Sequence, residues 1–193
     1  MKGGRRYILL LAGLLVIGAP IHAQAAVFDQ VQHNKSALTF AYKQMGVTME
    51  GGFSKFSARI KFDAANINGA QSQIEVDLAS VDTGSSDADS EVAGKQWFNV
   101  KVFPVARFVS TGIKALGGNR YEAMGRLTIK GKSMDVSAPF AFKQENGSGV
   151  FDGAFTLKRL DYSIGEGAWA DVSAVANEIQ IKFHIVVNAA GGK

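Results

Sequence analysis

Most of the chain beyond residue 36 alternates apolar and polar residues, a pattern typical of β-strands that bury one face. The clearest example is the segment in which Ile74, Val76 and Leu78 alternate with polar neighbours. Eight such strands are predicted, around residues 38–42, 58–62, 74–78, 106–110, 121–129, 136–142, 151–157 and 179–185. Each carries one apolar face, which has to pack against another part of the protein.

Short turns rich in glycine and asparagine separate neighbouring strands, for example residues 117–119 and 146–149. Such close spacing predicts hairpins and therefore an antiparallel sheet. Closing that sheet into a barrel would bury the apolar faces and remove the exposed edges, and a two-sheet sandwich is the alternative. Residues 85–98 break the alternation and predict a short helix across one mouth. The expected fold is all-β, an eight-stranded antiparallel barrel with a short helix at one end.

The N-terminus follows a different pattern from the rest of the chain. Three basic residues precede an apolar run at residues 7–19, and a small-x-small motif ends at Ala25. This arrangement predicts a secretory signal peptide over residues 1–25, with one barrel domain over residues 26–193. The apolar run spans about 13 residues, fewer than the ~20 that a membrane-spanning helix needs. A retained anchor is therefore the less favoured interpretation, and the periplasm is the expected location.

Charge and cysteine content exclude several classes of protein. The full chain has a net charge of +4, and removal of the three basic residues in the signal peptide lowers it to about +1. A nucleic-acid partner is therefore not indicated. The chain has no cysteine, which excludes disulfides, thiol chemistry and a lipid-modified N-terminal cysteine. The core alone must stabilise the domain.

Catalytic and metal-binding patterns are weak in this sequence. Beyond residue 25 there are two histidines, His33 and His184, and neither lies in a motif that would orient a catalytic partner. Asp87, Asp89 and Glu91 have the spacing that opens a calcium loop, but the glycine and glutamate required later in that loop are missing. We expect no catalytic residues, no metal site and no cofactor.

The inward-facing positions are rich in aromatic residues with small residues between them. An eight-stranded barrel can fill its interior with side chains or hold one small ligand. Small inward residues favour a cavity, although they also occur where strands pack closely or bend. The predicted ligand channel consists of Phe40, Tyr42, Phe62, Phe108, Ala123, Leu127, Ala138, Phe140, Phe155, Leu157 and Phe183.

One charged residue continues an apolar face. The alternation through Phe155 and Leu157 places Arg159 inward, where a charge is costly unless it is paired. The favoured partner is a carboxylate, Asp82 or Asp161. A lipid head group is the second alternative, and a bulge that turns the side chain into solvent is the third.

Several short motifs in order make the chain similar to the YceI-like, polyisoprenoid-binding family. They are residues 36–40 (SALTF), 52–56 (GFSKF), 60–63 (IKFD), 80–84 (SVDTG), 97–99 (WFN), 103–110 (FPVARFVS), 125–131 (GRLTIKG) and 159–165 (RLDYSIG). The resemblance implies a lipocalin-like barrel with an apolar channel for an amphiphilic lipid, such as a polyisoprenoid, an isoprenoid quinone or a fatty amide. It implies no enzymatic activity.

These observations predict a periplasmic protein that sequesters or carries such a lipid. Exposing a lipid chain to water costs about 0.8 kcal/mol per CH₂, so a carrier needs an elongated apolar channel. Two alternatives are an accessory partner of a membrane redox complex and an enzyme acting on the lipid. The pattern does not distinguish a monomer from a dimer.

Overall fold

The computed structural model describes residues 26–189, which form eleven β-strands and one α-helix. The predicted signal peptide lies outside the described residues. The strands are β1 (Ala26–Val31), β2 (Ala37–Gln44), β3 (Val47–Phe53), β4 (Phe56–Phe62), β5 (Gln71–Asp77), β6 (Val81–Asp82), β7 (Val105–Gly117), β8 (Arg120–Ile129), β9 (Lys132–Glu145), β10 (Ser148–Lys158) and β11 (Glu178–Ala189). The helix α1 is Ser86–Ala93. No helix in this part of the chain is long and apolar enough to span a bilayer.

All strand pairs are antiparallel, and the sheet closes into a ring. The ring runs in the order β1-β4-β5-β7-β8-β9-β10-β11, and β1 pairs back onto β11 through Val31 and Val187. The middle of β11 pairs with β2 through Phe183 and Leu38, so β1 and β2 lie end to end along one edge of β11. The strands β3 and β6 continue the sheet from β2. The prediction of an all-β antiparallel fold with one short helix is confirmed.

The predicted number of strands is wrong, because three strands were missed. All eight predicted strands exist, but β1, β3 and β6 are additional. Most of β3 is exposed, so it lacks a buried face that would alternate. It also contains Gly51, where a Cβ atom would lie 2.5 Å from the Phe40 ring and 2.6 Å from the Asp82 carbonyl oxygen. The strand β6 has only two residues, too few to show any period.

The helix is shorter than the predicted segment of residues 85–98. It ends at Ala93, and irregular turns connect it to β7. The side chain of Ser85 does not cap the helix. Instead, the Asp89 carboxylate accepts hydrogen bonds from the backbone N–H and the hydroxyl of Thr83, both at 2.7 Å. These bonds attach α1 to the segment that follows β6.

Two hydrophobic clusters occupy the two ends of the ring. The floor cluster is formed around the aromatic residues Phe28, Phe62, Phe140, Phe142 and Phe151. The cap cluster includes buried residues from several loops, among them Leu78, Trp97, Tyr162, Ile164 and Val175. The space between these clusters is only partly filled by side chains, which creates the site described next.

Candidate ligand-binding cavity

A cavity of about 390 Å³ lies inside the ring, between the floor cluster and the cap cluster. Its walls come from the inward faces of β2–β5 and β7–β11, together with α1 and the loops of the cap end. Nearly all of the lining side chains are apolar. The exceptions are Tyr42, Gln44, Ser72, Thr83, Glu91 and Arg159.

Ten of the eleven residues of the predicted channel line this cavity. They are Phe40, Tyr42, Phe108, Ala123, Leu127, Ala138, Phe140, Phe155, Leu157 and Phe183. Phe62 does not line it. Its ring packs in the floor cluster, 4.5 Å from the Phe142 ring centre and 5.0 Å from that of Tyr121. Contact of these ten residues with a ligand stays a prediction.

The small inward residues serve two different purposes. Ala106, Ala123 and Ala138 line the cavity, and their short side chains leave volume unfilled. Gly125 and Gly153 instead allow close packing. A Cβ atom at Gly125 would lie 2.4 Å from the Val109 carbonyl oxygen, and one at Gly153 would lie 2.3 Å from the Phe183 ring. Small residues therefore leave space for a cavity at the three alanines and allow close packing at the two glycines.

The cavity meets solvent at the cap end. Of the residues that line it, only Gln44 at the end of β2 and Glu91 in α1 are exposed. Tyr42 and Thr83, which are half-buried, also lie at this end. We refer to these four residues as the mouth. Four of the six polar lining residues thus lie where a bound molecule would approach water.

Arg159 is a buried cation whose partners are all backbone carbonyls. The residue is 1% exposed, and its guanidinium carbon lies 5.5 Å from the centre of the Trp97 ring. The Nε atom donates to the carbonyl oxygen of Ala176, Nη1 donates to two carbonyl oxygens at residues 164 and 165, and Nη2 donates to two at residues 169 and 175. All five N–H donors of the guanidinium are therefore in use.

The predicted ion pair between Arg159 and a carboxylate is not formed. Asp82 accepts a hydrogen bond from the backbone N–H of Gly84, and Asp161 is exposed. The physical reason is that the chain folds back after β10 in a series of tight turns, whose carbonyl oxygens converge on the guanidinium. Burial lowers the pKa of Arg159, but a guanidinium stays charged at neutral pH.

Residues 159–177, which we refer to as the cap loop, are held by further contacts of the same kind. A Cβ atom at Gly165 would lie 2.1 Å from Nη1 of Arg159, and the φ of +82° at this position also favours glycine. Lys130, in the turn between β8 and β9, donates to the carbonyl oxygens of Lys95 and Ser163 and to the Glu166 carboxylate. This contact with Lys130 holds the pKa of Glu166 below its usual value.

Two polar groups in the cap cluster have no hydrogen-bond partner. They are the indole Nε1 of Trp97 and the hydroxyl of Tyr162, in residues that are 8% and 1% exposed. Burial raises the pKa of Tyr162 to about 12, and the charge of Asp161 adds to the effect. Both atoms are shielded from the cavity as well as from solvent, so neither is positioned to contact a ligand directly.

The two histidines lie away from the cavity. His184 contacts Asp152 at 2.5 Å on the outer face of β10 and β11. The ring of His33 packs on Phe56 at 5.5 Å. Within residues 26–189, no group of three or more His, Asp or Glu side chains is arranged to hold a metal ion. Asp87, Asp89 and Glu91, which have the spacing of an incomplete calcium loop, lie in α1, and Glu91 belongs to the mouth.

Sequence patterns alone missed much of the cap end. Gln44, Thr83, Glu91, Trp97, Ile164, Trp169 and Val175 all line the cavity but were not predicted to do so. Most of them lie in loops or in the helix, where strand alternation carries no information. The two tryptophans were the available signal, because large aromatic side chains bury much surface and contribute strongly to packed regions.

A closed antiparallel ring around one apolar cavity with a polar mouth defines the lipocalin-like class of barrels. Residues 30–187 match the sequence model of the YceI-like domain. The chain therefore belongs to the YceI-like family. Among similar proteins is a UPF0312 protein of Ectopseudomonas mendocina, 29% identical over 163 residues that cover 81% of this chain and 84% of that protein.

Solved structures show the same fold. The crystal structure of BcnA from Burkholderia cenocepacia is 44% identical in sequence, has a TM-score of 0.79, and covers 81% of this chain and 99% of its own. A polyisoprenoid-binding domain from Saccharophagus degradans has a TM-score of 0.68 at 14% identity, covering 86% of this chain and 100% of its own. At that identity the similarity shows the fold alone.

Replacing Arg159 by methionine should destabilise the protein by about 3 kcal/mol or more, because each buried carbonyl left without a donor costs about 1–3 kcal/mol. Arg159→Lys should also destabilise it, since an ammonium offers three donors instead of five. Urea denaturation monitored by circular dichroism measures both effects.

The matched control is Arg107→Met, which removes an exposed guanidinium 3.4 Å from Glu75. An exposed ion pair contributes at most about 1 kcal/mol. If Arg159→Met were as stable as Arg107→Met, the carbonyl contacts of Arg159 would not hold the cap loop.

Proposed function

We propose that this protein binds one amphiphilic lipid, with the lipid chain inside the cavity and the head group at the mouth. The proposed role is to sequester or carry that lipid. The observation that supports it most directly is the combination of an apolar interior with a polar opening at one end. An amphiphile matches both environments, since its chain avoids water and its head group remains hydrated.

The size of the cavity supports a ligand. The lining of the cavity is almost entirely apolar, and apolar surface in contact with water is unfavourable by about 25 cal/mol per Å². A lipid chain inside the cavity would remove that surface from water. The volume also lies within the range of about 300–1,000 Å³ typical of small-molecule sites.

The choice of lipid class is supported by the family. The Saccharophagus degradans domain with the same fold is described as polyisoprenoid-binding. A polyisoprenoid, an isoprenoid quinone and a fatty amide all combine a long apolar chain with a small head group. We propose a ligand of this class for the present chain.

We also propose that the protein is exported to the periplasm. Support comes from the basic start, the apolar run and the small-x-small motif within residues 1–25. The expected product in the periplasmic fraction has an intact mass that corresponds to a chain beginning at Ala26. A mass that retained residues 1–25, found in the membrane fraction, would contradict export.

Two alternatives have less support. An enzyme would need an oriented acid–base pair inside the cavity. The titratable residues that line it are Tyr42, Glu91 and Arg159, and all five donors of Arg159 are already used. An accessory partner of a membrane redox complex would need a surface that docks on that complex. No feature of the described residues identifies such a surface.

The proposed lipid site can be tested with paired variants on β8 and β9. Ala123 and Ala138 are direct cross-strand neighbours that both line the cavity. Replacing either by tryptophan should fill the cavity and lower the amount of co-purified lipid at least tenfold, as measured by mass spectrometry of organic extracts. Ala123→Leu, which adds less volume, should cause a smaller loss.

The control is Met124→Trp, which places the same side chain on the exposed face beside Ala123. This variant should retain its lipid. Circular dichroism and urea denaturation verify that each variant is folded. Folded Ala123→Trp and Ala138→Trp proteins with undiminished lipid would show that the ligand does not occupy this cavity.

A further inference from the structure

The mouth has a distinctive set of polar groups. Gln44 contributes an amide, Tyr42 and Thr83 contribute hydroxyls, and Glu91 contributes a carboxylate. Away from the mouth, the polar lining groups are Ser72 and Arg159. The mouth is therefore the part of the cavity wall where a head group would find several hydrogen-bonding side chains, and one of them is an anion.

A second negative charge lies next to the mouth. The Asp89 carboxylate is fixed by two hydrogen bonds from Thr83, a residue of the mouth. Burial raises the pKa of the Tyr42 hydroxyl, and the charge of Asp89 raises it further. Residues 82–94 contain four acidic residues, and the first basic residue after them is the exposed Lys95.

Positive charges that could offset these carboxylates are occupied or face elsewhere. Among the described residues, Arg159 is the only cation that lines the cavity, and five carbonyl oxygens use all of its donors. Lys43 lies between Tyr42 and Gln44 on β2, and strand alternation directs its side chain to the opposite face. At the cavity wall itself, an anionic head group would therefore meet a carboxylate and no cation with unused donors.

We propose that the mouth selects lipids whose head group carries no negative charge and donates a hydrogen bond, such as an alcohol, a phenol, an amide or an amine. Phosphate and carboxylate head groups are disfavoured. This inference rests on the proposed function and narrows the class of ligand. The physical basis is like-charge repulsion beside an apolar cavity, where charges are screened less than in water.

The test compares two probes that share one chain and differ in the head group, farnesol and farnesyl monophosphate. Both are titrated into delipidated protein, and the fluorescence of Trp97 and Trp169, which line the cavity, reports binding. We expect farnesol to bind at least tenfold more tightly than the phosphate at pH 7.5. The difference should shrink as salt is added, because salt screens the charges.

The decisive variant is Glu91→Lys. It should lower the ratio of the farnesol affinity to the farnesyl monophosphate affinity at least fivefold, or reverse the preference. The matched control is Glu145→Lys, the same charge change at an exposed position in the β9–β10 hairpin at the floor end. It should leave the ratio of the two affinities unchanged. Circular dichroism confirms the fold of both variants.

The outcomes separate this inference from the proposed function. Equal or tighter binding of farnesyl monophosphate to the unmodified protein would overturn the head-group selection while lipid binding stands. An unchanged affinity ratio in Glu91→Lys would overturn the role of the mouth. Binding of neither probe would overturn the proposed function, and this inference with it.

Discussion

The cap end of this barrel depends on one buried guanidinium. A cation removed from water is costly unless every donor is satisfied, and Arg159 satisfies its donors with backbone carbonyls rather than with a carboxylate. Those carbonyls belong to the irregular cap loop. The hydrogen bonds that compensate for the lost hydration of the guanidinium therefore also fix the path of that loop. In that position the loop brings Ile164, Trp169 and Val175 to the cavity wall.

The interior is packed unevenly along the barrel axis, and this unevenness creates the cavity. At the floor end, the Phe62 ring packs edge-on against the rings of Tyr121 and Phe140. Further along, the cross-strand pair of Ala123 and Ala138 faces the interior, where two small side chains leave a gap. The cavity therefore lies between the packed floor cluster and the cap cluster, and its two exposed lining residues, Gln44 and Glu91, belong to the mouth.

The sequence predicted the strands and their inward faces well because a period of two determines which side of a sheet a residue occupies. The same pattern does not determine how far along the barrel axis an inward side chain lies. For that reason Phe62 is predicted to line the channel, although its ring packs in the floor cluster below the cavity. The mouth could not be predicted, since Gln44 and Glu91 come together only when the sheet closes. The partners of Arg159 could not be predicted either, because backbone carbonyls leave no signature in the side-chain pattern.

The central claim is that the cavity holds an amphiphilic lipid. Native mass spectrometry of the protein purified from the periplasm of its own host, followed by analysis of the organic extract, tests this claim most directly. The account predicts one lipid per cavity, with a long apolar chain and a head group without negative charge. A protein whose native mass corresponds to the polypeptide alone, with no lipid in the extract, would contradict it.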